Sequence, residues 1–221
     1  MATLRNASTD EASIQGASTR QGRQEQIQRA VAILRGGGLV VYPTETLYGL
    51  GADALKAQAL ERLAQVKGRE TGKPISVLVS DESMLATLVT DVPPMARQLM
   101  RRFWPGPLTI VFSARSEVSA LLTGGSGGIG VRVSSHPLAG ALVKALGRPL
   151  TTPSANPAGL SPPVTIEAAR NYFGDAVDEY VDGGRLPGEP ASTVVDVREG
   201  IRVVREGAVS STALKREMGE L

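Results

Sequence analysis

Leu39-Val40-Val41-Tyr42-Pro43-Thr44-Glu45-Thr46-Leu47-Tyr48-Gly49-Leu50-Gly51-Ala52-Asp53-Ala54 decides the architecture of this chain. Its first four residues are apolar, two of them β-branched, and read as a buried strand. Gly36-Gly37-Gly38 stands just before and stops an amphipathic helix whose apolar positions, Ile27, Ala30, Val31 and Leu34, recur at helical spacing. Beyond the polar loop, a second helical period runs from Ala54 to Lys67 through Ala57, Leu60, Leu63 and Ala64. Helix, buried strand, polar loop and helix in succession point to an α/β domain, where ligands gather at the strand ends.

The alternation continues down the chain. Strands are expected at Ile75–Val79, Leu108–Phe112, Ile129–Val133, Leu150–Thr152, Val194–Val197 and Ile201–Val204. Helices are expected over Met95–Phe103, Leu138–Leu146 and Ile166–Phe173, with Thr165 as an N-cap, and a last one after Ser210 or Ser211. The order is irregular, so residues 23–221 are expected to form one α/β domain around a twisted sheet of mixed parallel and antiparallel strands. Residues 1–22 carry almost no large apolar groups and are expected to be a disordered tail. No internal repeat or interior linker is visible.

Composition removes several classes of function. The chain has no cysteine, which excludes a disulfide framework, a thiolate metal site and a thiol nucleophile; a reducing, cytoplasmic setting is expected. No apolar run approaches the roughly 18 residues that cross a bilayer, and the N-terminus lacks the apolar stretch of a secretory signal. The net charge of +2 comes from 24 basic and 22 acidic residues, so nothing demands a nucleic-acid partner. Positive potential must instead come from local grouping, as with Lys67, Arg69 and Lys73 in one loop, or Arg101 and Arg102.

Two glycine motifs are set aside. Gly49-Leu50-Gly51-Ala52-Asp53-Ala54 matches G-x-G-x-x-A, but six residues separate it from the strand that a dinucleotide turn should leave directly. The glycine-rich run 124–128 is not followed by Gly-Lys-Ser/Thr and reads as a turn. His136, the one histidine, has Ser134 and Ser135 beside it. Triad members meet through the fold rather than along the chain, so a structural role is the simpler reading. One histidine and no cysteine also argue against a protein-caged transition metal.

Other segments suit a ligand site. Pro149-Leu150-Thr151-Thr152-Pro153-Ser154-Ala155-Asn156 runs from an apolar lead-in into hydroxyls and an amide on a proline-stiffened loop, a surface able to orient a ligand. Lys67-Gly68-Arg69-Glu70-Thr71-Gly72-Lys73-Pro74 places three cations within seven residues, which fits either a solvated helix end or a phosphate clamp. Pro43–Gly49 follows a buried strand, and Arg132 sits among apolar neighbours on another, where it must be ion-paired or bound to an anion. Asp182-Gly183-Gly184, Ala191–Asp196 and Arg205-Glu206-Gly207 add hydroxyls and a further arginine at strand ends.

Taken together, these segments resemble the YrdC-like family of threonylcarbamoyl-AMP synthases, also called TsaC. The pieces carrying the resemblance are Pro43–Gly51, Lys67-x-Arg69, Trp104–Thr109, Val131-Arg132 with His136-Pro137, Pro153–Asn156, Asp182–Gly184 with Ser192–Asp196, and Arg205–Gly207. They fall in one order between about residue 25 and 212. The resemblance implies a YrdC-like fold, helices and a twisted sheet around a concave basic cleft. It also implies a nucleotidyltransferase reaction in which L-threonine, bicarbonate or CO2, and ATP give threonylcarbamoyl-AMP and pyrophosphate. That product serves N6-threonylcarbamoyladenosine modification of tRNA through a downstream threonylcarbamoyl transferase complex.

On the matching positions, Lys67 and Arg69 are the catalytic candidates and hold ATP phosphates. Ser154, Asn156 and Arg205, with Lys73 and Ser161 ranked lower, complete the ATP site. Thr46, Arg132, Thr152 and Ser192 hold threonine, with Arg132 on its carboxylate. ATP is a substrate with Mg2+ in attendance, held by phosphates and water; no tightly bound cofactor, protein metal site or membrane contact is implied. Longer family members carry a second C-terminal domain, so this chain matches their short form. The rival readings are a module that binds double-stranded RNA by shape, tightly and with strong salt sensitivity, without ATP turnover, and a hydrogenase-maturing relative, whose cysteine-rich zinc module is missing here; for the synthase itself only weak RNA binding is expected.

Overall fold

The strand expected at 39–42 turns back on itself at once. The computed structural model describes residues 7–68, 72–188 and 190–219, with side chains from residue 21 onward. Strand β1 (Val40–Pro43) pairs antiparallel with β2 (Tyr48–Gly51), Val40 facing Gly51 and Pro43 facing Tyr48. Thr44 closes the turn between them: its hydroxyl donates to the Leu47 carbonyl at 2.7 Å and accepts from the Leu47 amide at 3.3 Å. The sequence carries no signal for β2, because Tyr-Gly-Leu-Gly has two glycines, which strands ordinarily avoid. Packing requires one of them: a Cβ on Gly51 would stand 3.0 Å from both Leu150 and Tyr42.

The chain then supplies α2 (Ala57–Lys67), β3 (Val77–Leu78), α3 (Glu82–Ala86), α4 (Pro94–Phe103), β4 (Leu108–Ser113), α5 (Ala120–Thr123), β5 (Gly128–Arg132) and α6 (Pro137–Leu146). After these come β6 (Leu150–Thr151), α7 (Ile166–Phe173), a 3-10 turn at Gly174–Ala176, β7 (Glu179–Tyr180), β8 (Thr193–Asp196), β9 (Arg202–Arg205) and α8 (Ser211–Met218). The expected mixing of parallel and antiparallel pairs is present, in two sheets rather than one. Strand β1 has β2 on one edge and parallel β7 on the other, giving the order β2-β1-β7. Both its edges are therefore taken, and the other six strands pair separately as β6-β3-β5-β4-β8-β9. Within that sheet β3–β5 and β4–β8 are parallel, and β3–β6, β4–β5 and β8–β9 are antiparallel.

The first helix, α1, spans Ala7–Gly36 and so runs through most of the segment read as a tail, whose residues 1–6 lie outside the described residues. From residue 21 onward the first buried side chain is Ile27, and Ile27, Ala30, Val31 and Leu34 pack with Val40, Tyr42 and, from α6, Leu142, Val143 and Leu146. Once that turn is anchored, extending a helix costs little per residue, and the upstream stretch carries Ala and Gln among its Ser, Thr and Gly and is free of proline. A larger core joins Leu39, Val41 and Leu50 of the first sheet region to Ile110, Val131 and Val195 of the second, under α2, α4, α7 and α8.

His136 has the structural role expected of it. It is the N-cap of α6, its Nδ1 accepting from the Leu138 amide at 3.2 Å, with Pro137 at the first helical position. Burial pushes its pKa below the ordinary histidine value, with the nearby charge of Glu45 opposing. The unfolded chain therefore binds the proton more readily, so stability is full above about pH 6.5 and falls as pH drops toward the folded pKa. Protonation also removes the Nδ1 acceptor. Thermal melting between about pH 5 and 7.5 is expected to show this decline in the native protein and to lose it in His136→Asn, which keeps a capping oxygen; equal slopes in both would overturn the assignment.

Candidate active site

Cross-strand neighbours in a sheet share a face, and residues two apart along a strand share it too. In the six-stranded sheet, Thr109 faces Val194, and Val194 faces Arg205. Arg132 lies one step beyond the Val131–Ile110 pair and continues this row. The next row on the same face is Gly130, Val111, Asp196 and Arg202. All eight residues line one cleft of about 480 Å³, within the usual size of a small-molecule site. Its walls are the β1–β2 turn with Thr44 and Thr46, and the segment Thr152–Ser154 leading from β6.

That second wall is held as though it were a strand. The Leu50 amide donates to Pro153 O and the Ala155 amide to Tyr48 O, both at 2.8 Å, while the Thr152 amide donates to Ser76 O at 2.8 Å. Tyr48, whose hydroxyl donates to Gly184 O at 2.7 Å and accepts from the Gly183 amide at 3.0 Å, has its pKa pushed up to about 12 by burial. It is a structural post that links the wall to the Asp182-Gly-Gly turn.

The charge of the site is concentrated in guanidinium groups. Arg132 is 4% exposed. Glu45 Oε2 lies 2.9 Å from its Nη2, but off the N–H direction, so that neither Nε nor Nη2 has a hydrogen-bond acceptor among the described residues. Glu45 itself accepts from the Ser134 hydroxyl, and Ser134 Oγ accepts from the His136 amide at 3.2 Å. Arg205 donates to Ser192 O through Nε at 3.2 Å and Nη2 at 2.8 Å, and Nη2 also reaches Ser192 Oγ at 3.2 Å. Burial, and after it the positive charge of Arg132, lower the pKa of Arg205. A buried donor without an acceptor costs free energy that an anionic ligand recovers.

Of the residues singled out by sequence, Thr46, Arg132, Thr152, Ser154, Ser192 and Arg205 line this one cleft. Lys67 and Asn156 lie behind its wall. Lys67 Nζ donates to the carbonyls of Ser154 and Asn156, both at 2.6 Å, and Asn156 Nδ2 donates to Pro157 O and Leu160 O. Asn156 Oδ1 is buried without a hydrogen-bond partner. Ser161 and Lys73 are exposed, the Ser161 carbonyl accepting from Tyr172. Arg69 lies outside the described residues. Sequence reasoning passed over Thr44, Ser76, Thr109, Arg198 and Arg202, which also line the cleft. For Thr109 the available signal is strand alternation, which puts it on the face of Val111 and away from buried Ile110. Arg198 and Arg202 bear no signal of their own, because only the β8–β9 pairing turns them inward.

Among the described residues no group of three His, Asp or Glu side chains could cage a metal. Of the carboxylates at the cleft, Asp196 pairs with Arg198 and Arg202 and Glu45 Oε2 with Arg132, while Glu45 Oε1 is buried without a hydrogen-bond partner among the described residues.

With the site in view, the chain can be set among known proteins. It belongs to the Sua5/YciO/YrdC family, whose model, described as telomere recombination, matches residues 32–207. It is 34% identical over 197 residues to the threonylcarbamoyl-AMP synthase of Pyrococcus abyssi, across 89% of this chain and 58% of the relative. To the threonylcarbamoyl-AMP synthase of Thiobacillus denitrificans it is 40% identical over 184 residues, across 83% of this chain and 96% of the relative. The crystal structure of P. abyssi Sua5 complexed with L-threonine matches the fold with a TM-score of 0.85 at 34% identity, across 88% of this chain and 58% of that one. The chain therefore spans less than two thirds of the P. abyssi protein and nearly all of the T. denitrificans one.

Lys67 is 5% exposed, and its ammonium satisfies two wall carbonyls. Lys67→Met is expected to lower stability by about 1–3 kcal/mol and to speed amide exchange across Leu50 and Ala155, the residues bonded to that wall. Unchanged melting and exchange would mean that the lysine does not hold the wall.

Proposed function

We propose that this chain is an L-threonylcarbamoyladenylate synthase, a nucleotidyltransferase acting on L-threonine, bicarbonate or CO2, and ATP. The observation that carries this reading is Arg132: a guanidinium buried in the cleft floor, with Nε and Nη2 lacking acceptors, beside the hydroxyls of Thr109, Ser192 and Thr46. That arrangement suits a small carboxylate carrying a hydroxyl, which is what threonine is. The family membership and the names of the two relatives support the same conclusion.

The chemistry asks little of the protein beyond position and charge. The threonine nitrogen, once deprotonated, adds to CO2 to give a carbamate; from bicarbonate the same N–C bond forms as a C–O bond breaks and water leaves. A carbamate oxygen then bonds to the α-phosphorus of ATP while the bond from that phosphorus to the β-bridging oxygen breaks and pyrophosphate departs. Phosphoryl transfer of this kind relies on alignment and neutralisation of developing charge rather than on a protein nucleophile. In this reading Arg132, Ser192, Thr46 and Thr152 orient threonine, and Ser154, Asn156 and Arg205 orient the nucleotide. Lys67 and Arg69 act on its phosphates, with Lys73 and Ser161 at the edge of the site. For Lys67 that role requires its ammonium to leave the carbonyls of Ser154 and Asn156. With no group of three acidic or histidine side chains to cage it among the described residues, Mg2+ would travel with the triphosphate.

The product belongs to the N6-threonylcarbamoyladenosine pathway of tRNA, passed to a transferase, and the setting is cytoplasmic. No helix among the described residues is long and apolar enough to cross a membrane. Binding of double-stranded RNA without turnover is the competing reading, and a hydroxyl-lined cleft of about 480 Å³ around Arg132 suits a small ligand better than a duplex.

The deciding measurement is pyrophosphate release from ATP with and without L-threonine and bicarbonate. Release is expected only with both, and L-serine in place of threonine should support less. Tight, salt-sensitive RNA binding with no release would favour the competing reading. Arg132→Ala is expected to raise KM for threonine by about 10- to 100-fold, with a smaller change for ATP; equal losses for both substrates would remove Arg132 from the carboxylate seat.

A further inference from the structure

We propose that Thr109 is a positioning residue for the amino-acid seat: its hydroxyl donates to Ser192 Oγ and so leaves the Ser192 proton free to meet an oxygen of the bound threonine. This role rests on reading the cleft as a threonine site. Thr109 closes the Trp104–Thr109 segment, to which the reaction as described gives no task.

A serine hydroxyl has one proton to give and two lone pairs that accept. Arg205 Nη2 donates to Ser192 Oγ at 3.2 Å, which fills one lone pair. Thr109 Oγ1 lies 3.2 Å from the same oxygen, in a contact where either hydroxyl can be the donor. Both side chains are buried and both line the cleft. The two directions differ in what they leave for a ligand. If Ser192 donates to Thr109, its proton is used up within the floor and it meets the ligand only as an acceptor. If Thr109 donates, both lone pairs of Ser192 are filled and its proton is left for the cleft.

Charge selects the second direction. The guanidinium bonded to Ser192 Oγ polarises the serine O–H and makes it the better donor of the two hydroxyls. The ligand side asks for donors, because a carboxylate only accepts. Hydrogen bonds running one way, from Thr109 to Ser192 to a ligand oxygen, also strengthen one another in a buried setting.

The fold holds both hydroxyls for this. Threonine is β-branched and has few χ1 choices. The Thr109 methyl lies over Gly130 of β5, where a Cβ would stand 3.2 Å from Thr109 Cγ2. With the methyl set over one neighbouring strand, the hydroxyl is turned toward the other, where Ser192 leads into β8. The entry to β8 is pinned in its turn. The Thr193 amide donates to Pro107 O at 3.0 Å, which ties it to the residues just before β4. The Thr193 hydroxyl donates to Val209 O at 2.6 Å and accepts from the Gly207 and Val209 amides at 2.9 and 3.0 Å. Thr109 and Ser192 are therefore kept in step by bonds that involve neither hydroxyl.

Thr109→Val removes the hydroxyl at nearly constant volume, and Thr109→Ser keeps it. In calorimetric titration with L-threonine, Thr109→Val is expected to bind about five- to tenfold more weakly than the native protein, and Thr109→Ser to recover most of the affinity. Titration with α,β-methylene-ATP, which cannot release pyrophosphate, should change little in either variant, because Arg205 keeps its bonds to the Ser192 carbonyl. A double-mutant cycle with Ser192→Ala separates positioning from direct contact. If Thr109 acts through Ser192, the double variant should bind threonine no more weakly than Ser192→Ala alone. Additive losses would make Thr109 a ligand contact in its own right and overturn the proposal. Equal losses for threonine and the nucleotide in Thr109→Val would also overturn it, by making the residue a general support of the floor. So would an unchanged threonine affinity in that variant. A native protein that binds no threonine would remove the functional reading itself, and this role with it.

Discussion

A buried guanidinium ties the two sheets together. Arg132 stands on β5 in the six-stranded sheet, and its counter-ion Glu45 stands in the turn between β1 and β2 of the three-stranded one. Taking two charges out of water costs about as much as their attraction returns, so such a pair is a poor source of stability. It does fix location. The Glu45 carboxylate is held by Ser134, Ser134 in turn receives the His136 amide, and His136 caps α6. One ion pair thereby sets the β1–β2 turn, the exit of β5 and the start of a helix against one another. The cleft is the space left between them.

The floor of that cleft is a product of register. Thr109, Val194 and Arg205 form one row and Val111, Asp196 and Arg202 the next because β4 runs parallel to β8, and β8 antiparallel to β9. A slip of one residue in either pairing would turn these side chains to the opposite face and leave apolar residues in the cleft. Gly207 helps to hold this register: a Cβ there would come within 2.1 Å of Ala191 O, so the chain after β9 can approach the Ala191–Ser192 segment only without a side chain. That approach brings Arg205 onto the Ser192 carbonyl. Backbone packing rather than charge is what aims this arginine.

Among the described residues the site has guanidinium groups and hydroxyls and no poised nucleophile. The single histidine is a helix cap with its Nδ1 in use, and Lys67 is turned to two backbone carbonyls. A cleft with these groups suits a reaction in which the substrates supply nucleophile and leaving group and the protein supplies alignment and positive charge. It also explains why a chain without cysteine is at no disadvantage for this chemistry.

Much of this was legible in the sequence. Runs of four or five residues located β1, β4, β5, β8 and β9 to within a residue or two, and helical periodicity with Thr165 located α7, because local propensity and burial agree there. The motif residues Thr46, Arg132, Thr152, Ser154, Ser192 and Arg205 were also visible as polar groups beside buried strands, the places where an α/β sheet presents ligands. Tertiary structure decided the rest. Tyr48–Gly51 became a strand because Tyr42 and Leu150 leave no room for a side chain at Gly51, and the sheet divided because β1 had both edges filled. The helical stretch from Ala7 borrows its start from a turn anchored twenty residues later. The direction of Lys67 into the wall, the partnership of Arg132 with Glu45 and the inward turn of Arg198 and Arg202 depend on segments far apart in the chain. A sequence states which groups are available, and only the pairing of distant strands determines which of them meet.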